Sequence, residues 1–214
     1  MSGKEMAPWG TAIVSDLLSL AQVPGGSVLG KLGDRYLEQR RAEAAKILIE
    51  ELSKGSSEPI NFAESDVDPM IEITYRFAKA VADGAAKENL RLLAQVIAGL
   101  KRNKALDPDK FRKWANILEQ LTRDELMLIG KAIAIRRKIT AAGIGAPNDF
   151  WQQLTSEMTA GRYSRDEINS LCTAVCRTGL LIQLSALSDV YYTAMPWLDE
   201  LAALADVEGI VNTK

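Results

Sequence analysis

The chain reads as a mainly α-helical protein: an N-terminal helical bundle followed by a winged-helix-like module with one C-terminal β-hairpin. Three observations predict that class. Apolar residues recur every three to four positions from Ile13 to Met158. Two hexapeptides, Leu121-Thr122-Arg123-Asp124-Glu125-Leu126 and Tyr163-Ser164-Arg165-Asp166-Glu167-Ile168, each set a hydroxyl residue three positions before a Glu, with an apolar residue at either end. That is a capping box joined to a hydrophobic staple, and it starts a helix. Residues 180–187 and 190–195 then alternate with period two around Ser188-Asp189, the pattern of a hairpin.

Taken in order, residues 11–23 can form a short helix with Ile13, Val14, Leu17, Leu18 and Ala21 on its apolar side, ended by Pro24-Gly25-Gly26. A long helix follows from Ser27 as N-cap to Gly55 as stop. Leu29, Leu32, Tyr36, Ala44, Ile47 and Leu48 recur along it near helical spacing, and Arg40, Arg41, Glu43 and Lys46 take wetter positions. Residues 55–64 are a connection. Asp68 is the expected N-cap of the next helix, with Pro69 at its first position and Met70, Ile71, Tyr75, Phe77, Ala78 and Val81 following. Asp83-Gly84 either ends that helix, making an αα-hairpin, or bends it before Leu90, Leu93, Ile97 and Leu100. Asp107-Pro108 repeats the start signal ahead of Phe111, Trp114, Ala115, Leu118 and Leu121. After the first capping hexapeptide, residues 143–147 read as a turn, and Asn148 caps a short helix with Phe150, Trp151, Leu154 and Met158. The second hexapeptide opens a helix over 165–178. In the hairpin, Leu180, Ile182 and Leu184 alternate against Leu181, Gln183 and Ser185, facing Val190 and Tyr192 against Tyr191 and Thr193. Pro196 then opens a helix rich in Leu and Ala. The expected division is 1–55 as an N-terminal amphipathic helical hairpin, 65–121 as central helices, 122–206 as the winged-helix-like module and 207–214 as a tail.

Composition narrows the chemistry. Histidine is absent from all 214 residues, which removes the usual general base of Ser and Cys hydrolases and the commonest neutral metal ligand. Cys172 and Cys176 lie four apart in a helical stretch, and no third Cys or any His can complete a zinc site around them, so they read as small buried side chains. Residues 25–31 match the glycine and lysine positions of a phosphate-binding loop. Leu32 stands where the magnesium-ligating Ser or Thr belongs, and the segment before it is helical rather than a strand, so a nucleotide site is rejected. Acidic neighbours such as Glu50-Glu51 and Asp199-Glu200 point in different directions on a helix and read as solvated faces. The chain is expected to be no enzyme and to hold no cofactor and no metal.

The longest apolar stretch near the N-terminus, residues 12–23, is broken by Ser15, Asp16 and Ser19, and falls short of the ~20 residues that span a bilayer. Residues 1–8 lack the layout of a secretory signal, so a cytoplasmic location is expected. Peripheral membrane contact through the amphipathic segments 11–23 and 27–54 stays open.

Charge is segregated. Residues 101–138 hold eleven basic side chains against five acidic ones, a net of +6, so the remainder carries −8 within a total of −2. Lys101, Arg102 and Lys104 close one helix, Lys110, Arg112 and Lys113 open the next, and Arg136, Arg137 and Lys138 end a third. Half of this pattern follows from the macrodipole, which favours cations at helix C-termini. The same nine residues are the candidate contacts to a nucleic acid. Against that use, the helix over 165–178 carries Asp166 and Glu167 beside Arg165 and Arg177, and the hairpin tip carries Asp189, where phosphate is repelled.

The stretch from Leu121 to Leu126, followed by Gly179-Leu180-Leu181 and Tyr192-Thr193, resembles the Abi-alpha type of bacterial domain linked with abortive phage infection. Those domains share an N-terminal amphipathic helical part, an "L-[ST]-x-[DE]-E" helix start and a C-terminal "G-L-[LI]…Y-x-x-T-x-x-G" hairpin. Here Trp197 stands at the final glycine position and Tyr192 directly precedes Thr193, departing from the pattern. The resemblance covers residues 27–206 and implies a bacterial or prophage setting and defence work, with no catalytic residue carried over. Together these readings lead to a non-enzymatic protein that acts through a protein partner or self-association in phage–host conflict. The alternative is a winged-helix regulator that contacts nucleic acid through residues 101–138.

Overall fold

A computed structural model describes residues 28–54, 64–143, 149–186 and 189–212, with side chains described within 35–54, 65–143, 149–185 and 190–210. The expected helix over 11–23, its Pro-Gly-Gly stop, the Ser27 cap and the Asn148 cap lie outside the described residues, as do the connection 55–63 and most of the turn at 143–147. Among the described residues the chain is mainly helical, and one antiparallel hairpin stands near its C-terminus. It divides into two compact units, Met1–Gln120 and Leu121–Lys214.

In the first unit, α1 (Val28–Ser53) and a 3-10 turn (Glu64–Asp66) precede α2 (Val67–Ala82), α3 (Lys87–Arg102) and α4 (Pro108–Leu118). The centre is α3. Leu90, Leu92, Leu93, Val96, Ile97 and Leu100 line a broad apolar side of it and are all buried, because α1, α2 and α4 each pack on it. Burial of such side chains contributes about 1.5–3 kcal/mol each. Buried with them in this unit are Ala44, Ile47 and Leu48 of α1, Ile73 and Phe77 of α2, and Phe111, Trp114 and Leu118 of α4, all but Ile73 among the periodic residues that mark those helices in the sequence. Buried Asn89 donates its side-chain amide to the Leu118 carbonyl at 2.6 Å, satisfying an orphan acceptor at the end of α4.

Four details differ from expectation or decide between readings. Residue Asp68 lies inside α2, which begins at Val67 after Asp66, so Pro69 takes the third helical position. The first four N–H groups have no helical partner, so a proline fits there as well as at the first. Asp83-Gly84 ends α2. Gly84, at φ +90, donates to the Val81 carbonyl, and Ala85 donates to that of Ala80, the double closure of a Schellman motif, so α2 and α3 form an αα-hairpin. Tyr36 (59% exposed), Tyr75 (67%) and Ile71 leave the core, because Ile71 and Tyr75 sit one position off the buried stripe at 70, 73–74, 77–78 and 81. And α1 packs on α2 and α3 inside this unit, so residues 28–53, from the segment 1–55 expected as a separate hairpin, share one compact body with the central helices.

The second unit runs α5 (Arg123–Ala142), α6 (Asp149–Ala160), α7 (Arg165–Cys176), β1 (Leu181–Ala186), β2 (Asp189–Ala194), α8 (Pro196–Leu204) and α9 (Val207–Asn212). Both capping boxes form: the Thr122 and Ser164 hydroxyls each accept the N–H three residues on, and Glu125 and Glu167 reach back to the cap N–H at 2.8 and 2.7 Å. Helix α5 is the axis on which α6, α7, α8 and α9 pack. The expected tail thus contains a helix, and Val207 and Ile210 are buried there. It packs against α5 at Gly130, where a Cβ would lie at ordinary contact distance, 3.5 Å, from the Glu208 backbone. Phe150, Trp151, Leu154 and Met158 of α6 and Ile168, Cys172 and Val175 of α7 fill the remaining core.

The hairpin is genuine and its register is Leu181↔Ala194, Ile182↔Thr193, Gln183↔Tyr192, Leu184↔Tyr191, Ser185↔Val190 and Ala186↔Asp189. Asp189 therefore belongs to β2 rather than to a Ser188-Asp189 tip, and Ser188 lies outside the described residues. No helix among the described residues is long and apolar enough to cross a membrane.

Candidate interaction surfaces

The nine basic residues singled out in the sequence fall six in the first unit and three in the second, and most are held by their own unit. Lys101 pairs with Asp66, and Arg102 donates to the carbonyls of Glu51 (3.3 Å) and Lys54. Arg112 bridges Glu72 (2.8 Å) and Asp109 (3.1 Å), and the Lys113 ammonium lies 4.2 Å from the centre of the Trp114 ring. In the second unit Arg136 pairs with Asp199 (3.4 Å), Arg137 with Glu208 (3.3 Å) and Lys138 with Glu157 (3.2 Å). Lys104 and Lys110 are exposed and make no such contact among the described residues. Exposed pairs of this kind add little stability, but each places a carboxylate beside the cation, which lowers the local potential offered to phosphate.

Helix α7 carries no row of basic side chains on its surface. Arg177 is committed to the buried Glu125 carboxylate and to the Ala174 carbonyl (2.6 Å), tying the end of α7 to the start of α5. Burial pushes the Glu125 carboxyl up, and hydrogen bonds from Arg177 and from the Thr122 N–H and hydroxyl outweigh it, leaving the group below its ordinary 4.5. The hydrogen bond from Lys138, helped by Lys131, likewise lowers Glu157. Tyr163 is pushed up to about 12 by burial and by its 2.8 Å hydrogen bond to Asp124. Cys172 is buried and its thiol is pushed up to about 12 by that burial, so it is an unreactive packing group at neutral pH.

The hairpin is anchored by Tyr192. Its ring lies 5.1 Å from that of Trp151, and its hydroxyl bonds Thr173 (2.8 Å) and the Asn169 carbonyl (3.3 Å), while Leu181 is buried on the same face. The opposite face carries Ile182, 40% exposed, with Leu184 and Tyr191 half-buried beside it. The apolar alternation of β1 is therefore split, Leu181 facing the helices and Ile182 with Leu184 facing away.

Alongside β2 runs a half-open cleft of about 430 Å³, lined by Trp151, Gln152, Thr155 and Ser156 of α6, Arg165 at the start of α7, and Val190 and Tyr191. Arg165 is exposed and makes no hydrogen bond or ion pair among the described residues, and the Thr155 hydroxyl is buried without a partner. Sequence reasoning missed this site. Its walls come from three elements whose adjacency depends on tertiary packing, and only the polar run Gln152-Gln153 and Thr155-Ser156 beside Trp151 hints at a second, wetter face of α6.

These features define a class: a mainly α-helical protein whose C-terminal unit ends three packed helices in an antiparallel hairpin. Comparison of the chain with protein-family models, with curated proteins and with solved structures gives no match.

Proposed function

We propose that this is a non-enzymatic protein that works by binding another protein, with the hairpin-bearing second unit as a docking module of winged-helix type. One observation carries the reading. The cations that made the case for a polyanionic partner are mostly engaged with carboxylates and carbonyls of their own unit, whereas large apolar side chains stand in solvent: Ile71 and Tyr75 one turn apart on α2, and Ile182, with half-buried Leu184 and Tyr191, on the outward face of the hairpin. Water-exposed apolar side chains gathered on one face are the usual mark of a protein contact. The setting is the one implied by the Abi-alpha resemblance, phage–host conflict in a bacterium.

Capture of the tagged chain from its native host after nuclease treatment tests this. The reading expects a protein retained in fixed stoichiometry. Recovery of nucleic acid alone from an untreated lysate, with duplex DNA bound at low ionic strength and released steeply by salt, would reverse it in favour of the regulator built on residues 101–138.

A further inference from the structure

Helix α2 is covered on one side only. Six of its residues are exposed, Asp68, Ile71, Glu72, Tyr75, Lys79 and Ala82, and at 3.6 residues per turn they fall within an arc of about 100°. The stripe has an apolar side, Ile71 (40% exposed), Tyr75 (67%) and Ala82, and a charged side, Asp68, Glu72 and Lys79. Glu72 is held within the unit by Arg112 at 2.8 Å. Asp68 and Lys79 make no ion pair or side-chain hydrogen bond among the described residues. The macrodipole favours an acid in the first turn and a base in the last wherever they lie around a helix, and here both share the stripe with the exposed Ile71 and Tyr75.

We infer that this stripe pairs with the same stripe on a second copy of the chain, α2 antiparallel to α2, which rests on the protein-contact reading and names the occupant of one of its surfaces. Position and charge both select that arrangement. Ile71 and Tyr75 are four apart, the spacing of successive core positions in a coiled coil, and a two-fold axis at residue 73 sets each Ile71 beside the other copy's Tyr75. The same axis brings each Asp68 within one residue's rise of the other copy's Lys79 and on the same flank, because 68 and 79 are centred on 73.5 while 71 and 75 are centred on 73. Two apolar contacts are thus framed by two ion pairs. Parallel helices would instead set Asp68 against Asp68 and Lys79 against Lys79, which repel. A single pair of 16-residue helices, about 24 Å long, is at the small end of specific interfaces, so the pairing is reversible, with a dissociation constant on the order of tens of micromolar.

Sedimentation equilibrium of the full chain over roughly 1–300 µM tests this. The mass is expected to rise from 23.4 kDa towards twice that value. Tyr75→Glu puts a charge where the side chain is already 67% exposed, so the fold is kept, and pairing should weaken at least about tenfold because that charge is buried in the pair. Asp68→Lys and Lys79→Glu should each weaken pairing about fivefold, since each turns two screened attractions into repulsions. An equal mixture of those two variants should regain the natural affinity, because each altered side chain then meets its opposite on the other copy. Damage confined to the folding of α2 is not undone by mixing. A chain monomeric at every concentration, a dimer that Tyr75→Glu leaves intact, or a mixture that binds no tighter than its components each overturns the inference. If the chain is monomeric and Tyr75 is shielded from hydroxyl-radical labelling, the face belongs to another segment of the same chain. If it is monomeric and Tyr75→Glu loses a protein captured from the host, the face belongs to that protein, so the self-pairing falls and the protein-contact reading stands. Capture of nucleic acid alone removes that reading whatever the mass.

Discussion

Lys104 and Arg162 hold the left-handed backbone conformation, at φ +53 and +75, in which glycine usually closes a helix. Each completes the same double closure as Gly84: Lys104 donates to Lys101 and Ala105 to Leu100, and Arg162 donates to Thr159 and Tyr163 to Met158. A Cβ in that region is strained, so Lys104→Gly should raise stability by about 0.5–1 kcal/mol, net of the extra freedom glycine has when unfolded, as read by urea denaturation. The opposite holds at Gly179. Its φ is +74 and an added Cβ would lie 2.9 Å from the Trp197 ring, so Gly179→Ala should cost about 1–3 kcal/mol by the same measurement. The Trp197 ring closes over the flat surface that Gly179 leaves.

At the scale of elements, the start of α5 and the end of α7 share one carboxylate. Glu125 caps Thr122 and holds Arg177, and its folded value lies below 4.5. A carboxyl depressed by folding contributes stability that is fully present above its unfolded value and is lost as pH falls through the folded one. Melting of the second unit should therefore decline as pH drops below about 4.5, and Glu125→Gln should lower the neutral-pH melting temperature while flattening that acid limb. An acid limb unchanged in the variant would remove Glu125 from the account. Both capping boxes were legible because their physics is confined to six consecutive residues. The hairpin was legible because its period differs from everything before it. Short α9 was not, since six residues containing Gly209 are too few to show a helical period and are held by their packing on α5.

For the whole molecule, the two-unit division places a complete core in each half. The first is organised on α3, and Leu93→Ala at its fully buried centre should destabilise that unit by about 2–5 kcal/mol in calorimetry. Periodicity identified most core residues of both units, while Tyr36, Ile71 and Tyr75 were assigned to the core on spacing that a neighbouring stripe fits better. The charge segregation was visible in sequence, but its partners were not: Arg137 finds Glu208 71 positions away and Lys101 finds Asp66 35 positions away, distances over which no local rule operates. Those partners leave less free positive charge for a polyanionic ligand, which is the ground of the proposed protein-binding role. Native mass spectrometry of the chain purified from its own cells under nuclease treatment tests that claim most directly. The account predicts a species heavier than 23.4 kDa by a whole number of protein subunits. A bare 23.4 kDa chain that gains mass only when duplex DNA is added would contradict it.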